Sequence, residues 1–400
     1  MLLKRRQPTL HSTKNEWVQE ELITIKEQGL YRGLRSVESS YQPVVQIDGE
    51  ERVMAASNNY LGLSSHESLI SAAIEGMRTF GVGSTGSRLT TGNTRLHELL
   101  EERIARFKQS EAAILFSSGY LANIGVLSSI AGEGDVVLSD ALNHASIIDG
   151  CRLSKAKIKV YNHADMSDLE KLLERSQSYR RRFIVTDGVF SMDGNIAPLR
   201  DIVWLAEKFD AYVIVDDAHA TGVLGEKGRG TSSYFNVSVD LTIGTFSKAV
   251  GTEGGFVVGS HEMITLLRNS ARSFIFQTAL SPGVVAASIR ALEMIEHNTT
   301  LQDQLHRSIK QCREELRELG YSVLGEETSI LPVVIGDATK AVQFSRELER
   351  EGVFAPAIRP PTVPDGESRI RLTLMATHHE KHIDHIVRAF YKVGKDFGVI

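Results

Sequence analysis

The sequence predicts an α/β fold whose main body is a mostly parallel, seven-stranded sheet with helices on both faces, followed by a smaller C-terminal α+β unit. Two observations carry this prediction. Between Tyr60 and about Gly259, short β-branched runs alternate with stretches whose apolar residues recur every three to four positions, as strands and amphipathic helices do. Beyond Pro282 the alternation ends, and long charged helical segments surround a further strand.

Taken in chain order, residues 1–48 read as an arm with one amphipathic helix around 16–28. The arm opens Met-Leu-Leu-Lys-Arg-Arg-Gln-Pro and then turns polar, so no secretory leader is expected in it. The large unit, residues 49–295, holds candidate strands at 113–116, 136–139, 158–161, 183–187, 212–216, 241–244 and 255–258. Ile202, Leu205, Ala206 and Phe209 illustrate the helical spacing between them. Functional groups should gather beyond the carboxyl ends of such strands. The small unit, residues 296–400, combines a charged helix around 299–319, a strand near 330–335, and helices near 339–351 and 380–397. The last helix sets Ile383, Ile386, Val387, Phe390 and Val393 on one stripe, a packing face.

Composition narrows the functional classes. Forty-five Lys plus Arg against 50 Asp plus Glu give a net charge of -5, which argues against nucleic acid or an anionic membrane as the main partner. Residues 112–132 carry no charge, but Ser117, Ser118, Gly119, Asn123 and Gly125 interrupt them too often for a membrane span. The two cysteines, Cys151 and Cys312, lie far apart and suggest neither a disulfide framework nor a zinc ribbon. A soluble, cytoplasmic protein is expected.

Several motifs have competing readings. Gly81, Gly83 and Gly86 form a Gly-x-Gly-x-x-Gly string, but residues 66–80 before it read as a helix where a dinucleotide fingerprint requires a strand, so an active-site loop is the better reading. His378, His379, His382 and His385 have the spacing of helical metal ligands, yet a solvated face explains them, and no metal is expected. Arg180, Arg181 and Arg182 read as a solvated edge. Asp216 and His219 stand at and just beyond the end of an apolar strand, where they can face one ligand or simply cap a turn. Thr245-Phe246-Ser247-Lys248 follows the next strand and leads into a glycine-rich run. A lysine placed there has the setting for an amine of lowered pKa, able to form a Schiff base.

These motifs occur in order with others: Asn58-Asn59-Tyr60-Leu61-Gly62-Leu63, Ser118-Gly119-Tyr120-Leu121-Ala122-Asn123, Asn143-His144-Ala145-Ser146, Val189-Phe190-Ser191-Met192-Asp193-Gly194, Asp216-Asp217-Ala218-His219 and Gly244-Thr245-Phe246-Ser247-Lys248. Together they resemble, through nearly the whole chain, the α-oxoamine synthases of fold type I, the aspartate aminotransferase-like transferases that depend on pyridoxal 5'-phosphate (PLP). The resemblance implies that Lys248 carries PLP as a Schiff base and later acts as general base, and that Asp216 pairs with the protonated pyridine nitrogen. It implies His219 as donor to the phenolic oxygen, His144 as the ring stacked on the pyridine, and Ser191 as a neighbour of that oxygen and the substrate. Gly119 and Tyr120 match the backbone amides that receive the phosphate, a placement a helix N-terminus favours by its dipole. Thr245 matches a hydroxyl beside them, and Thr278 a phosphate ligand given by the second subunit of a homodimer, whose active site then lies at the subunit interface.

Within the family, the segment Ala357-Ile358-Arg359-Pro360-Pro361-Thr362-Val363-Pro364 and the run Gly86-Ser87-Arg88-Leu89-Thr90-Thr91-Gly92-Asn93 resemble the members that condense L-alanine with a pimeloyl thioester, on CoA or an acyl carrier protein, in biotin biosynthesis. The alternative is a member that joins glycine to acetyl-CoA. By this resemblance Arg359 takes the amino acid carboxylate, a task suited to its planar fork, and Thr362 and Arg32 lie near the substrates.

Overall fold

The computed structural model describes residues 14–28, 30–325 and 327–400. The chain begins with α1 (Glu16–Glu27), which buries none of its residues. A hairpin of β1 (Val44–Ile47) and β2 (Glu50–Met54) turns on Asp48 and Gly49, at φ +52° and +76°, the two left-handed positions a tight hairpin turn requires. It straddles residue 48, where the arm is expected to end. Then come α2 (Glu67–Phe80) and α3 (Arg95–Phe107).

The main sheet holds β3 (Ala112–Phe116), β4 (Val136–Asp140), β5 (Lys157–Tyr161), β6 (Arg182–Asp187), β7 (Tyr212–Asp216), β8 (Leu241–Thr245) and β9 (Gly255–Gly259). Its order is β3-β9-β8-β7-β6-β4-β5. β9 runs antiparallel to both of its neighbours and the remaining pairs are parallel. All seven strands lie within two residues of their expected positions. They are legible because β4, β6, β8 and β9 are buried at every residue, as strands covered on both faces must be.

The connections form α4 (Gly119–Ile130), α5 (Ala145–Leu153), α6 (Met166–Glu174), α7 (Leu199–Phe209), α8 (Thr231–Phe235), α9 (His261–Ser270), α10 (Arg272–Ile275) and α11 (Pro282–His297). One apolar layer joins Val126 and Leu127 of α4, Ile147 of α5 and Leu267 of α9 to Ile114, Ile214 and Val257 of the sheet. Another joins Leu169 of α6 and Leu205 of α7 to Leu138, Ile184 and Val213. Of the run Arg180–Arg182, Arg180 is exposed and Arg181 half-buried, as a solvated edge requires, but Arg182 is buried. Arg180 and Arg181 each donate twice to the buried carboxylate of Asp135, and buried Arg182 donates to the carbonyls of Phe209 and Asp210 just past α7.

The C-terminal region adds α12 (Thr300–Glu318), β10 (Ile330–Gly336), α13 (Ala338–Arg350), β11 (Val353–Phe354), β12 (Ala357–Ile358), β13 (Ser368–Thr373) and α14 (Glu380–Asp396). β10, β13 and β12 form one antiparallel sheet, and β11 pairs parallel with β2, which ties the N-terminal hairpin to this end of the chain. β13 escapes sequence reading because Arg369 and Arg371 interrupt its apolar pattern, yet all six of its residues are buried. Arg369 Nη1 donates to Asp193 Oδ1 at 2.6 Å and Arg371 Nε to the Ser191 carbonyl at 2.5 Å, so both guanidiniums serve a loop of the large unit. Among the described residues no helix is long and apolar enough to cross a membrane.

β9 enters the sheet against the chain as it turns from β3 into α4. A Cβ on Gly255 would stand 2.4 Å from the Ser118 carbonyl and 2.6 Å from the Gly119 nitrogen. Gly255→Ala should therefore lower stability by about 1–3 kcal/mol, the usual cost of overpacking. Urea unfolding checks this, and an unchanged midpoint contradicts it.

Candidate active site

Six strands of one sense end on a common edge, and the tips of five carry the polar groups. β4 leads into the turn that presents His144, β6 ends at Asp187, β7 at Asp216, and β8 at Thr245, three residues before Lys248. β3 leads into Ser118, whose hydroxyl caps α4 by accepting from Leu121 N at 3.2 Å. These tips enclose a cavity of about 230 Å³.

Lys248 Nζ lies in this cavity, 2.8 Å from His219 Nε2. Burial disfavours its ammonium form and pulls the amine down to about 8, although the Asp216 and Asp187 charges act in the opposite direction. On the far side of the imidazole, His219 Nδ1 is 2.7 Å from Tyr60 Oη, and Tyr60 donates to Asn58 Oδ1 at 3.0 Å. With the phenol proton directed at Asn58, Nδ1 carries the imidazole proton and Nε2 accepts from Lys248; with it directed at His219 Nδ1, the imidazole proton stands on Nε2. Burial, with Lys248 and Arg371 nearby, holds His219 well below the usual histidine range and hence neutral.

The two carboxylates play different parts. Asp216 accepts from Asn123 Nδ2 at 2.6 Å and from Ala218 N at 2.8 Å, both to an anion's advantage. Asp187 is fully buried close to Asp216. Desolvation and that neighbouring charge raise it well above the ordinary carboxylate value, while its Oδ2 accepts from His144 N at 2.8 Å. His144 itself caps α5: Nδ1 accepts from Ser146 N at 3.3 Å and lies 2.7 Å from Ser146 Oγ. Its ring meets the Tyr120 ring edge-on, with centroids 6.4 Å apart. Burial lowers its pKa, which favours a neutral ring.

Lys248, His144, Asp216, His219, Gly119, Tyr120, Ser191 and Thr245 all line this one cavity. Thr278 does not. It is exposed beside Gln277, whose Oε1 accepts from Ser117 N and Oγ at 3.1 and 2.7 Å. Arg32 and Thr362 are exposed and Arg359 is half-buried, and none of the three lines the cavity. The Gly81–Gly86 loop also lies outside it and packs on the segment ending at Leu280, where Gly86 O accepts from Ala279 N at 3.0 Å. His378 is buried rather than solvated, because its Nδ1 accepts from Met375 N at 2.9 Å.

The fold adds groups that sequence reading left unassigned: Asn58, Tyr60, Asn123, Asp187, Ser247 and Arg371. Asp187 could have been found as the last residue of a strand pattern. Arg371, some 120 residues beyond Lys248 in sequence, is brought near by β13 alone.

The family "Aminotransferase class I and II" matches residues 53–390. The chain is 55% identical, over 96% of its length and 99% of the relative's, to 8-amino-7-oxononanoate synthase 2 of Bacillus subtilis. It belongs to the 8-amino-7-oxononanoate synthase family. Among solved structures, serine palmitoyltransferase from S. paucimobilis with bound PLP–myriocin is 32% identical with a TM-score of 0.91, covering 98% of this chain and all of that one. The 8-amino-7-oxononanoate synthase of Francisella tularensis is 27% identical with a TM-score of 0.75, covering 87% of this chain and 99% of that one.

The cavity's own chemistry fits PLP. It offers a buried amine of lowered pKa for an aldehyde, a carboxyl group bonded by Asn123 for a ring nitrogen, and the start of a 12-residue helix for a phosphate. The buried Asn123 Oδ1 beside Asp216 has no partner within the chain. A Cβ on Gly119 at the helix start would sit 3.3 Å from Thr245 Cβ, a tight contact in the same corner.

The state of the amine can be measured without turnover. In cofactor-free protein, reductive methylation of Lys248 by formaldehyde, followed by peptide mass mapping, should rise with pH through a midpoint near 8. A midpoint near the ordinary lysine value of about 10.4 contradicts the desolvated site.

Proposed function

We propose that this protein is a PLP-dependent acyltransferase that condenses L-alanine with a pimeloyl thioester, releasing CO2 and the thiol to give 8-amino-7-oxononanoate for biotin. The observation that carries the reading is the buried Lys248 amine, 2.8 Å from a neutral His219 in a cavity it shares with Asp216. The family match supports it along nearly the whole chain.

PLP, when bound, supplies an electron-withdrawing ring that stabilises negative charge at the carbon bearing the amino group. Lys248 would hold the cofactor aldehyde, with Asp216 for the ring nitrogen and His144 for the ring face. The Gly119 and Tyr120 amides with the Thr245 hydroxyl would take the phosphate. Ser191 and His219 would serve the phenolic oxygen. Tyr60 can turn its hydroxyl from Asn58 to His219 Nδ1, which frees His219 Nε2 to donate rather than accept. The Lys248 amine, with a pKa already near neutrality, would be the base that takes the α-proton of L-alanine.

A carboxylate needs a guanidinium. Arg359 is the candidate by family resemblance, and Arg371 is the arginine that bonds Asn58 Oδ1 and the Ser191 carbonyl, close enough to lower the Lys248 and His219 pKa values. Arg32 and Thr362 serve the acyl donor. At about 230 Å³ the cavity holds cofactor and amino acid but leaves CoA or a carrier protein outside.

The protein works as a homodimer in the cytosol. Thr278 lies outside its own cavity, so its hydroxyl serves the phosphate of the other subunit. An apolar surface suits that contact: Ile70, Ile74, Met77 and Phe80 of α2 are exposed, as are Val82 and Phe276.

Three experiments test the reading. Lys248→Ala should remove the borohydride-sensitive visible band and cut turnover by roughly 10²–10⁴-fold, the usual weight of a general base; an unchanged spectrum refutes the assignment. Side-by-side assays should show L-alanine with pimeloyl thioester turned over in preference to glycine with acetyl-CoA, and the reverse preference points to the glycine-using branch. Asp216→Asn should retain cofactor yet lose most turnover.

A further inference from the structure

His163 lies outside the cavity and takes no part in the chemistry above, yet three elements meet on it. Its Nδ1 is 2.9 Å from Asp140 Oδ1 at the tip of β4. Its Nε2 is 2.9 Å from Asn195 Nδ2, and the Phe190 ring stands edge-on to it with centroids 4.4 Å apart. Asp140 also accepts from Leu142 N at 2.8 Å and Ala164 N at 2.9 Å, so it braces the turn that presents His144. Phe190 and Asn195 close the loop that presents Ser191, through Phe190 N to Asn195 O at 3.1 Å and Gly194 N to Phe190 O at 2.8 Å. One imidazole thus joins two of the segments that line the cavity.

The same bonds define where its proton sits. An amide nitrogen only donates, so Nε2 accepts from Asn195 and Nδ1–H donates to Asp140, which makes the ring neutral. In this arrangement Asn195 Oδ1 is buried without a partner. A proton added to Nε2 reverses the bond: the ring now donates from both nitrogens, and Asn195 satisfies it by turning its amide to offer Oδ1. That turn gives Oδ1 a donor and moves Nδ2 to the place Oδ1 leaves.

The charges around the ring favour this second state. Asp140 faces it from β4 and Asp193 from the loop, the latter shared with Arg369. On its own segment Asp165 caps α6 and Asp168 accepts from Asn162 N. Burial works against the charged ring, but the Asp140 bond and charge, the Asp193 charge and Asn195 outweigh it and hold the imidazole above its usual value.

We propose that His163 is a positioning residue whose proton, passed through the orientation of the Asn195 amide, sets how the Ser191 loop is joined to the His144 turn. The proposal rests on reading the cavity as the cofactor and amino acid site.

The test uses the full-length protein labelled with ring-13C histidine, with and without PLP, and His163→Gln to assign the resonance. His163 should titrate above about 6.5, and Asn195→Asp, which puts a carboxylate where the amide stands, should raise that midpoint by at least about one pH unit. In steady-state assays Asn195→Leu should raise KM for L-alanine roughly five- to tenfold, the weight of one buried hydrogen bond, with kcat within about twofold of the unsubstituted protein. Asn195→Asp should restore KM. A midpoint that ignores Asn195→Asp, or a KM that ignores Asn195→Leu, overturns the proposal. Absence of turnover in the unsubstituted protein refutes the assigned reaction instead, and the NMR midpoints then decide the proton exchange alone.

Discussion

The withdrawal of one amine from water governs the site. A lysine on an exposed loop is an ammonium at neutral pH and a poor nucleophile. Lys248 instead sits between the tips of β7 and β8, where the loss of hydration outweighs the attraction of Asp216 and Asp187 and brings the amine down to about 8. Everything around it is arranged to keep that balance. His219 is neutral and adds no charge beside the amine, Asp187 holds its proton more readily than an ordinary carboxyl, and Asp216 accepts from Asn123 and the Ala218 amide.

Such a balance requires rigid walls, and the sheet supplies them. The parallel strands bring their carboxyl ends to one edge, and their full burial fixes where each tip stands. The chain then crosses to α4 through a corner so tight that Gly255 is required there by contact distance. The C-terminal unit contributes from outside: β13 aims Arg369 and Arg371 at the loop from Ser191 to Asp193, and Thr328 donates to Gly194 O at 2.9 Å. The Ser191 loop is therefore gripped from two sides, by these groups and by His163.

The sequence was most legible where structure is local. The seven strands of the main sheet read correctly because uninterrupted apolar runs bounded by turn residues have few other homes, and α14 read correctly from the stripe of Ile383, Ile386, Phe390 and Val393. β13 was missed because a strand with two arginines looks half-exposed until the carboxylate and carbonyl they meet are known. His378 and Arg182 were taken as solvated for the same reason: each is buried because of a backbone partner that lies elsewhere in the fold.

By itself, the sequence determined the order of elements, the reactive lysine at the end of an apolar strand, and a run of motifs specific enough to indicate family and cofactor, because propensity, periodicity and motif spacing are properties of neighbouring residues. The tertiary structure decided what those residues can do. The lowered pKa of Lys248, the neutral state of His219, the entry of Asp187, Tyr60 and Arg371 into the site, and the position of Thr278 outside it all depend on desolvation and on contacts between residues far apart in sequence. Burial is set by the whole packed chain, and no short window of sequence contains it.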